Sequence, residues 1–300
     1  MSIQVATRVE VTPLPVAARL GDYVQLVRPR IAVMVLVTAA LGMLLADRSP
    51  DAAAMVWMLI GTALVTAGAS AANQLVERRT DARMERTENR PLPTGRIGKS
   101  EALAFVVATT TIGMICLGKL STGPAAAIVA GATFVLYVFV YAPAKRKTWL
   151  NTFIGAVPGA APPLIGWAAA KGTLGWESLP LFAILFFWQI PHFLAIAWIY
   201  RDDYRRAGLK MLPVFDPTGR RTARTMIVHT VALLAASLTP LAFGHGVLYT
   251  VGALALGLAF LRLTMRFRAA RTIVAARDVL KMSLVYLPGV LLVLFVDRLI

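Results

Sequence analysis

The sequence predicts an all-α, polytopic membrane protein of about nine transmembrane helices, and three observations predict it. Of its 300 residues, 58% are hydrophobic and 15% charged, with a mean hydropathy of +0.68. The apolar residues fall into blocks of roughly 15 to 25, the length a helix needs to cross a ~30 Å hydrocarbon layer. The basic residues fall almost wholly into alternate gaps between those blocks.

A polar segment, residues 1–30, precedes the first block and reads as cytoplasmic; residues 31–300 read as a single transmembrane domain. Met1 to Leu20 contain Glu10 and no apolar core of signal-peptide length, so no cleaved secretory signal is expected. A mitochondrial presequence is disfavoured too, because such segments are acid-poor. The blocks then run Ile31 to Ala46, Ala52 to Val76, Ala102 to Gly118 and Pro124 to Tyr141. Cys116, in the third, reads as a small buried residue; one cysteine excludes an intrachain disulfide or a Cys-rich metal site. The fifth block, Trp149 to Ala170, is rich in Gly and Pro from Gly155 to Trp167, which suits close helix approach and a broken helix lining a pocket. The sixth, Leu179 to Tyr200, holds Pro191 followed by His192. Met226 to Phe243, Val247 to Leu261 and Met282 to Val296 complete the set. His229 carries no motif, and His245, in an outer Gly-His-Gly turn, reads as structural.

A net charge of +16 raises the question of a nucleic-acid partner, and the positions of the charges answer it. With the amino terminus inside, every Lys and Arg except Arg48, Lys119, Lys171 and Arg298 lies in an inner segment. That asymmetry is the positive-inside rule, so the charge serves topology and anionic lipid, with no nucleic acid. Two inner gaps are long, Glu77 to Glu101 and Arg201 to Thr225. Both are charged and both reach a Leu-Pro, which hints at a duplicated four-helix unit.

The first gap opens with Asn73, Glu77 and Asp81, spaced i, i+4, i+8. If the second helix continues through them, successive members rotate by only ~40° and rise ~6 Å, so their oxygens share one face. Such a ladder suits Mg²⁺, which takes a few carboxylate or amide oxygens and leaves its other positions to water and phosphate. The plainer reading is an exposed helix end paired with Arg78, Arg83 or Arg86. Asn73 argues against it, because an amide inside an apolar block needs an interior partner. Arg86 and Arg90, beside Pro91, offer forked donors to phosphate oxygens.

In the second gap, Asp202 and Asp203 are adjacent and cannot share a helix face, so one at most ligates directly, and Asp203 is chosen. His192 is the one ionisable residue inside its block; it lines a cavity or merely bonds a neighbouring helix. Lys145, four residues after Tyr141, is placed to meet an anionic leaving group, and Asn151 opens the Gly/Pro-rich span.

These residues resemble a known family. Asn73-x-x-x-Glu77-x-x-x-Asp81, followed by Met84-x-Arg86-Thr87-x-x-Arg90-Pro91-Leu92, is similar to the intramembrane prenyltransferases typified by UbiA. Pro191-His192-Phe193, Asp203-Tyr204, Ala207-Gly208, Met211-Leu212-Pro213, Asn151, Ile154-Gly155 and Gly159-Ala160-Ala161-Pro162-Pro163 look like its protohaem IX farnesyltransferase, or haem O synthase, branch. The resemblance covers roughly Arg28 to Pro213 and implies nine helices around a central cavity. It implies Mg²⁺ at Asn73, Glu77 and Asp81, with a second metal at Asp203 to which Asp202 adds a contact. It further implies that Arg28, Arg86, Arg90, Lys145 and Tyr141 contact the diphosphate or carbocation, with Asn151 and His192 also facing substrate. The implied substrates are farnesyl diphosphate and haem B, in the lipid bilayer of a cell inner membrane, with a mitochondrial inner membrane less favoured. Haem A synthase or terminal oxidase assembly proteins are implied partners. Two departures stand out: Glu77 replaces the usual Asp, and Arg206 and Ala207 stand where a second-motif carboxylate is expected. Both count against quinone-ring prenylation. Two rivals stay open, a prenyltransferase for an aromatic quinone precursor or chlorophyll-type acceptor, and an organic-anion transporter. A transporter places its acids near the membrane centre, whereas these cluster at one face.

Overall fold

The structure is a computed structural model describing residues 16–121, 123–244 and 246–300; the expectations for the first fifteen residues and for His245 lie outside it. In chain order the helices are α1 (Val16–Val27), α2 (Pro29–Ala46), α3 (Ala52–Asp81), α4 (Lys99–Ile115), α5 (Pro124–Val135), α6 (Ala142–Lys147), α7 (Asn151–Gly159), α8 (Pro162–Lys171), α9 (Leu179–Ile199), α10 (Arg201–Arg206), α11 (Arg220–Leu238), α12 (Val247–Ala270) and α13 (Ile273–Leu299). Among the described residues there is no strand, and nine spans are long and apolar enough to cross a membrane. A π-helical stretch, Leu136–Tyr141, joins α5 to α6 in the fourth span, and α7 with α8 makes the fifth.

The helices overrun the apolar blocks. The break expected between Leu261 and Met282 shrinks to Arg271 and Thr272, because α12 and α13 carry charged turns beyond the hydrocarbon without unwinding. Apolar block length measures the membrane, while hydrogen bonding alone sets where the helix stops. Toward the lipid the bundle shows an apolar exterior, as at Ile128, Phe139, Val251 and Leu292.

Packing divides the spans into two four-helix units. α3, α4, α5 and α7–α8 form one; α9, α11, α12 and α13 form the other; α2 lies against α8 and α3. The fifth span is the most enclosed, 67% of its window being buried against 22% for the third, and small residues are the reason. Gly42 faces the backbone of Pro163, and Gly166 faces that of Ala39 and Met43. The span breaks at Ala160–Ala161, because Pro162 and Pro163 lack the N–H groups that would continue the ladder.

From residue 16 the amino-terminal segment is docked on the bundle. Leu26 of α1 is fully buried with Ala71, Ala72, Leu92 and Ile97, and Arg96 Nε donates to Asp22 Oδ1 at 2.8 Å. Tyr23 donates to Glu101 at 2.7 Å, and Arg19 pairs with the same carboxylate.

A Cβ on Gly166 would lie 2.8 Å from Met43 N, with backbone on both sides and nothing flexible to yield. Gly166→Val is therefore expected to lower stability by about 1–3 kcal/mol or more. Thermal unfolding in detergent checks this, with Gly98→Ser, at an open helix N-cap of negative φ, as the comparison.

Candidate active site at the mouth of the bundle

α3 does run on through the expected ladder, ending at Asp81, so Asn73, Glu77 and Asp81 follow one another up a single helical face. Asn73 and Asp81 are 0% and 1% exposed. Asn73 Nδ2 donates to Glu77 Oε2 at 2.9 Å. Lys145 Nζ meets Glu77 Oε1 at 2.6 Å, and Arg90 Nη1 donates to Asp81 Oδ2 at 2.7 Å. Carboxylates this far out of water need such partners; removing one side of a buried pair typically costs about 3–5 kcal/mol.

The cations are positioned by local backbone chemistry. Pro143 lacks the N–H that the carbonyl four residues back would accept, and the preceding turns widen to π-helix, with Ala142 N–H reaching Tyr137 O. This rephased end puts Lys145 Nζ 4.4 Å from the Tyr141 ring centre and on Glu77. The Tyr141 ring occupies the space left by Gly155. Arg28 caps α2 with φ 55°, a left-handed conformation that a non-glycine residue holds only under tertiary constraint. The constraint is Gln74, whose buried Nε2 donates to Leu26 O at 2.7 Å. Burial, followed by the charge of Arg28, pulls the Arg90 guanidinium below its ordinary value, so Arg28 lies within electrostatic reach of Arg90.

The two long loops clasp over this ladder. Met84 packs with Ala207 and Leu209. The Arg86 guanidinium lies 5.0 Å from the Tyr200 ring centre and donates to Tyr204 OH at 3.2 Å. Arg206 bridges Glu85, at 2.9 Å, and Asp203. The adjacent acids of α10 diverge as expected: Asp203 is 12% exposed, while Asp202 is 66% exposed and pairs with Arg205. Both thus hold arginines, and Asp203 reaches the first loop only through Arg206.

Two expected substrate residues serve the scaffold. Asn151 Nδ2 donates to Thr148 O and Lys210 O, both at 2.7 Å, and Lys210 N–H donates to Lys145 O at 2.7 Å, tying the second loop to the turn that carries Lys145. His192 Nδ1 lies 2.7 Å from Ser283 Oγ of α13 and its ring stacks on Trp188. Since the Ser283 hydroxyl donates to Leu280 O at 2.6 Å, Nδ1 carries the proton and Nε2 keeps its lone pair. His192 sits roughly 10 Å below the end of α9, apart from the carboxylates.

The donor set fits a hard cation. Asn73 Oδ1 and Asp81 Oδ1 are buried without a hydrogen-bond partner, on the face that Glu77 shares. Among the described residues no three His, Cys, Asp or Glu converge, so these oxygens suit an open site whose remaining ligands come from water and substrate. A cavity of about 510 Å³ at the opposite end, lined by Trp167, Lys171, Glu177 and Arg298 among others, contains none of these residues.

Residues 35–285 match the UbiA prenyltransferase family. The chain belongs to that family. It is 44% identical over 288 residues to the protoheme IX farnesyltransferase of Solibacter usitatus (strain Ellin6076), spanning 92% of this chain and 98% of that protein. A solved structure of digeranylgeranylglyceryl phosphate synthase shares the UbiA fold with a TM-score of 0.77 at 18% identity, over 93% of this chain and 98% of that one. A UbiA homologue from Archaeoglobus fulgidus, solved with GPP and Mg²⁺, matches with a TM-score of 0.65 at 15% identity, over 91% and 99%.

The residues that sequence reasoning passed over are Gln74, Asp22, Arg96 and Tyr200. The argument that singled out Asn73, a buried amide in an apolar block, applies equally to Gln74; the others carry no local signal. Asn151→Leu would leave the Lys210 carbonyl without its donor and Thr148 O with only the backbone N–H of residue 151, and is expected to destabilise by about 1–3 kcal/mol. Faster tryptic cleavage after Lys210 should accompany the lower melting temperature; unchanged cleavage and melting would exclude the clamp.

Proposed function

We propose that this chain transfers a farnesyl group from farnesyl diphosphate to a vinyl group of protohaem IX, giving haem O, with Mg²⁺ as cofactor. The observation that carries the reaction type is the buried ladder of Asn73, Glu77 and Asp81, with unpartnered oxygens and with Lys145, Arg90, Arg86 and Arg28 around it. The acceptor rests on the near full-length similarity to a protoheme IX farnesyltransferase. The membrane is a cell inner membrane, with this mouth on the cytoplasmic side, where the basic loops are retained. Haem A synthase or oxidase assembly proteins are then the natural recipients of product.

When bound, Mg²⁺ supplies positive charge to the diphosphate oxygens, with Asn73, Glu77, Asp81 and Asp203 as the residues that would hold it. Arg90 and Lys145 are held against carboxylates in the ligand-free chain, poised to shift their donors onto an arriving diphosphate. Arg86 adds a fork held by two tyrosine rings, and Arg28 adds charge from the end of α2. Fixed cations at the departing oxygens favour cleavage of the allylic C–O bond without reorganising at that moment. The Tyr141 face, tilted against Tyr137, offers π-density to the allylic cation in a pocket shielded from water. The haem vinyl group attacks that cation, and water captures the resulting carbocation with loss of a proton. No protein nucleophile is required. His192, with Nδ1 engaged by Ser283, keeps the lone pair of Nε2 for an acceptor ligand such as the haem iron.

Incubating the purified protein with haem B, farnesyl diphosphate and Mg²⁺ should add farnesyl and hydroxyl mass to the porphyrin. Prenylation of 4-hydroxybenzoate with none of haem would overturn the acceptor. Asp81→Asn is expected to lower kcat/KM by about 10²-fold or more, in line with losing one preorganised charge. Unchanged turnover and magnesium dependence in that variant would remove the ladder from the mechanism. His192→Ala should shift the Soret band of bound ferric haem; an identical spectrum would take His192 out of acceptor binding.

A further inference from the structure

A second groove of about 510 Å³ lies between α11 and α12, at the mouth end of the bundle but outside the site. Arg220 and Arg224 line it from α11, one turn apart, and Arg268 and Arg271 line it from the end of α12. Its floor is apolar, built by Ala223 and Ile227. Arg271 adopts φ 50° and donates to Thr218 O at 3.3 Å, which turns the α12 terminus in toward the start of α11.

Among the described residues none of these four arginines forms an ion pair. The nearby acid of the second loop, Asp216, is buried and already accepts from Thr218 Oγ1, Thr222 N and Thr222 Oγ1. Four like charges around one concavity repel one another unless an anion lies between them. Topology requires basic residues in these gaps but does not require them to converge. Arg221, Arg262 and Arg266 belong to the same gaps and stay off the groove. Beyond the floor, toward the membrane, α11 and α12 present exposed Val228, Val231, Leu258 and Met265. The surface is thus cationic at the rim and apolar along the adjoining helices.

We infer that this groove binds an anionic phospholipid, its phosphate among the four guanidinium groups and an acyl chain along the α11–α12 seam. Arginine suits the role, since its planar fork matches phosphate oxygens and it stays charged at the membrane surface.

The test is native mass spectrometry of the detergent-solubilised full chain titrated with phosphatidylglycerol, phosphatidylcholine or inorganic phosphate, with a melting curve for each. Phosphatidylglycerol should be retained and raise the melting temperature, and the other two should do neither. R224Q/R268Q should weaken phosphatidylglycerol retention by roughly 30-fold, from about 1 kcal/mol per basic residue near an anionic lipid surface. R262Q/R266Q, the same loss of two charges but both from the helix that carries Arg268, should keep retention within a few-fold. Equal loss in both double variants would reduce the effect to general charge and overturn the site. Equal stabilisation by inorganic phosphate or phosphatidylcholine would overturn the lipid. If R224Q/R268Q does not fold, Arg220→Gln alone carries the same comparison.

Discussion

A carboxylate set within the reach of hydrocarbon must have a counter-charge, and this requirement organises the mouth of the bundle. Glu77 and Asp81 stand on the last turns of a long membrane helix, where water does not freely solvate them. Each is held by a cation from another part of the chain, Lys145 from the fourth span and Arg90 from the first long loop. Those cations must in turn be aimed, which brings in the π-helical rephasing before Lys145, the Asn151 clamp beneath it and the loop clasp above it. The same pairs that keep the fold satisfied keep the groups proposed to bind diphosphate preorganised.

Polar residues elsewhere divide into those that close the scaffold and those that stay open. Gln74 and Arg96 have donors spent on neighbouring chain segments, Gln74 on Leu26 O and Arg96 on the Asp22 carboxylate. Asn73 and Asp81 keep oxygens in reserve on the ladder face. Burial of an unsatisfied oxygen is unfavourable, and Gln74 Oε1 and Asn151 Oδ1 share that state; what sets Asn73 and Asp81 apart is that their free oxygens follow one helical face with Glu77 between them, an arrangement that suits a ligand.

The nine spans and the ladder were legible because both are periodic: apolar block length reports the membrane, and a spacing of four reports one helical face. The ends of α12 and α13 were not, since charged turns continue a helix without continuing its hydropathy. α1 was illegible for a different reason, its docking resting on Leu26 and Asp22 meeting residues far along the chain. Asp203 shows the limit most clearly. Its neighbour relationship with Asp202 followed from helix geometry, but its capture by Arg206, which also holds Glu85, needed the fold. Asn151 and His192 were visible as unusual polar residues, while their hydrogen-bond partners were not.

The tethers of α1 lie 74 and 82 residues downstream, and Arg206 reaches back 121 residues to Glu85. During synthesis the leading helix therefore finds its apolar seat on the second span but its charged tethers only as the third span begins to emerge, and the first loop stays unclasped until six spans are made. The catalytic mouth is the last part of this half of the molecule to close. A nascent chain released early would carry its membrane anchors intact and its charged gate undone, which is the form a quality-control protease would recognise.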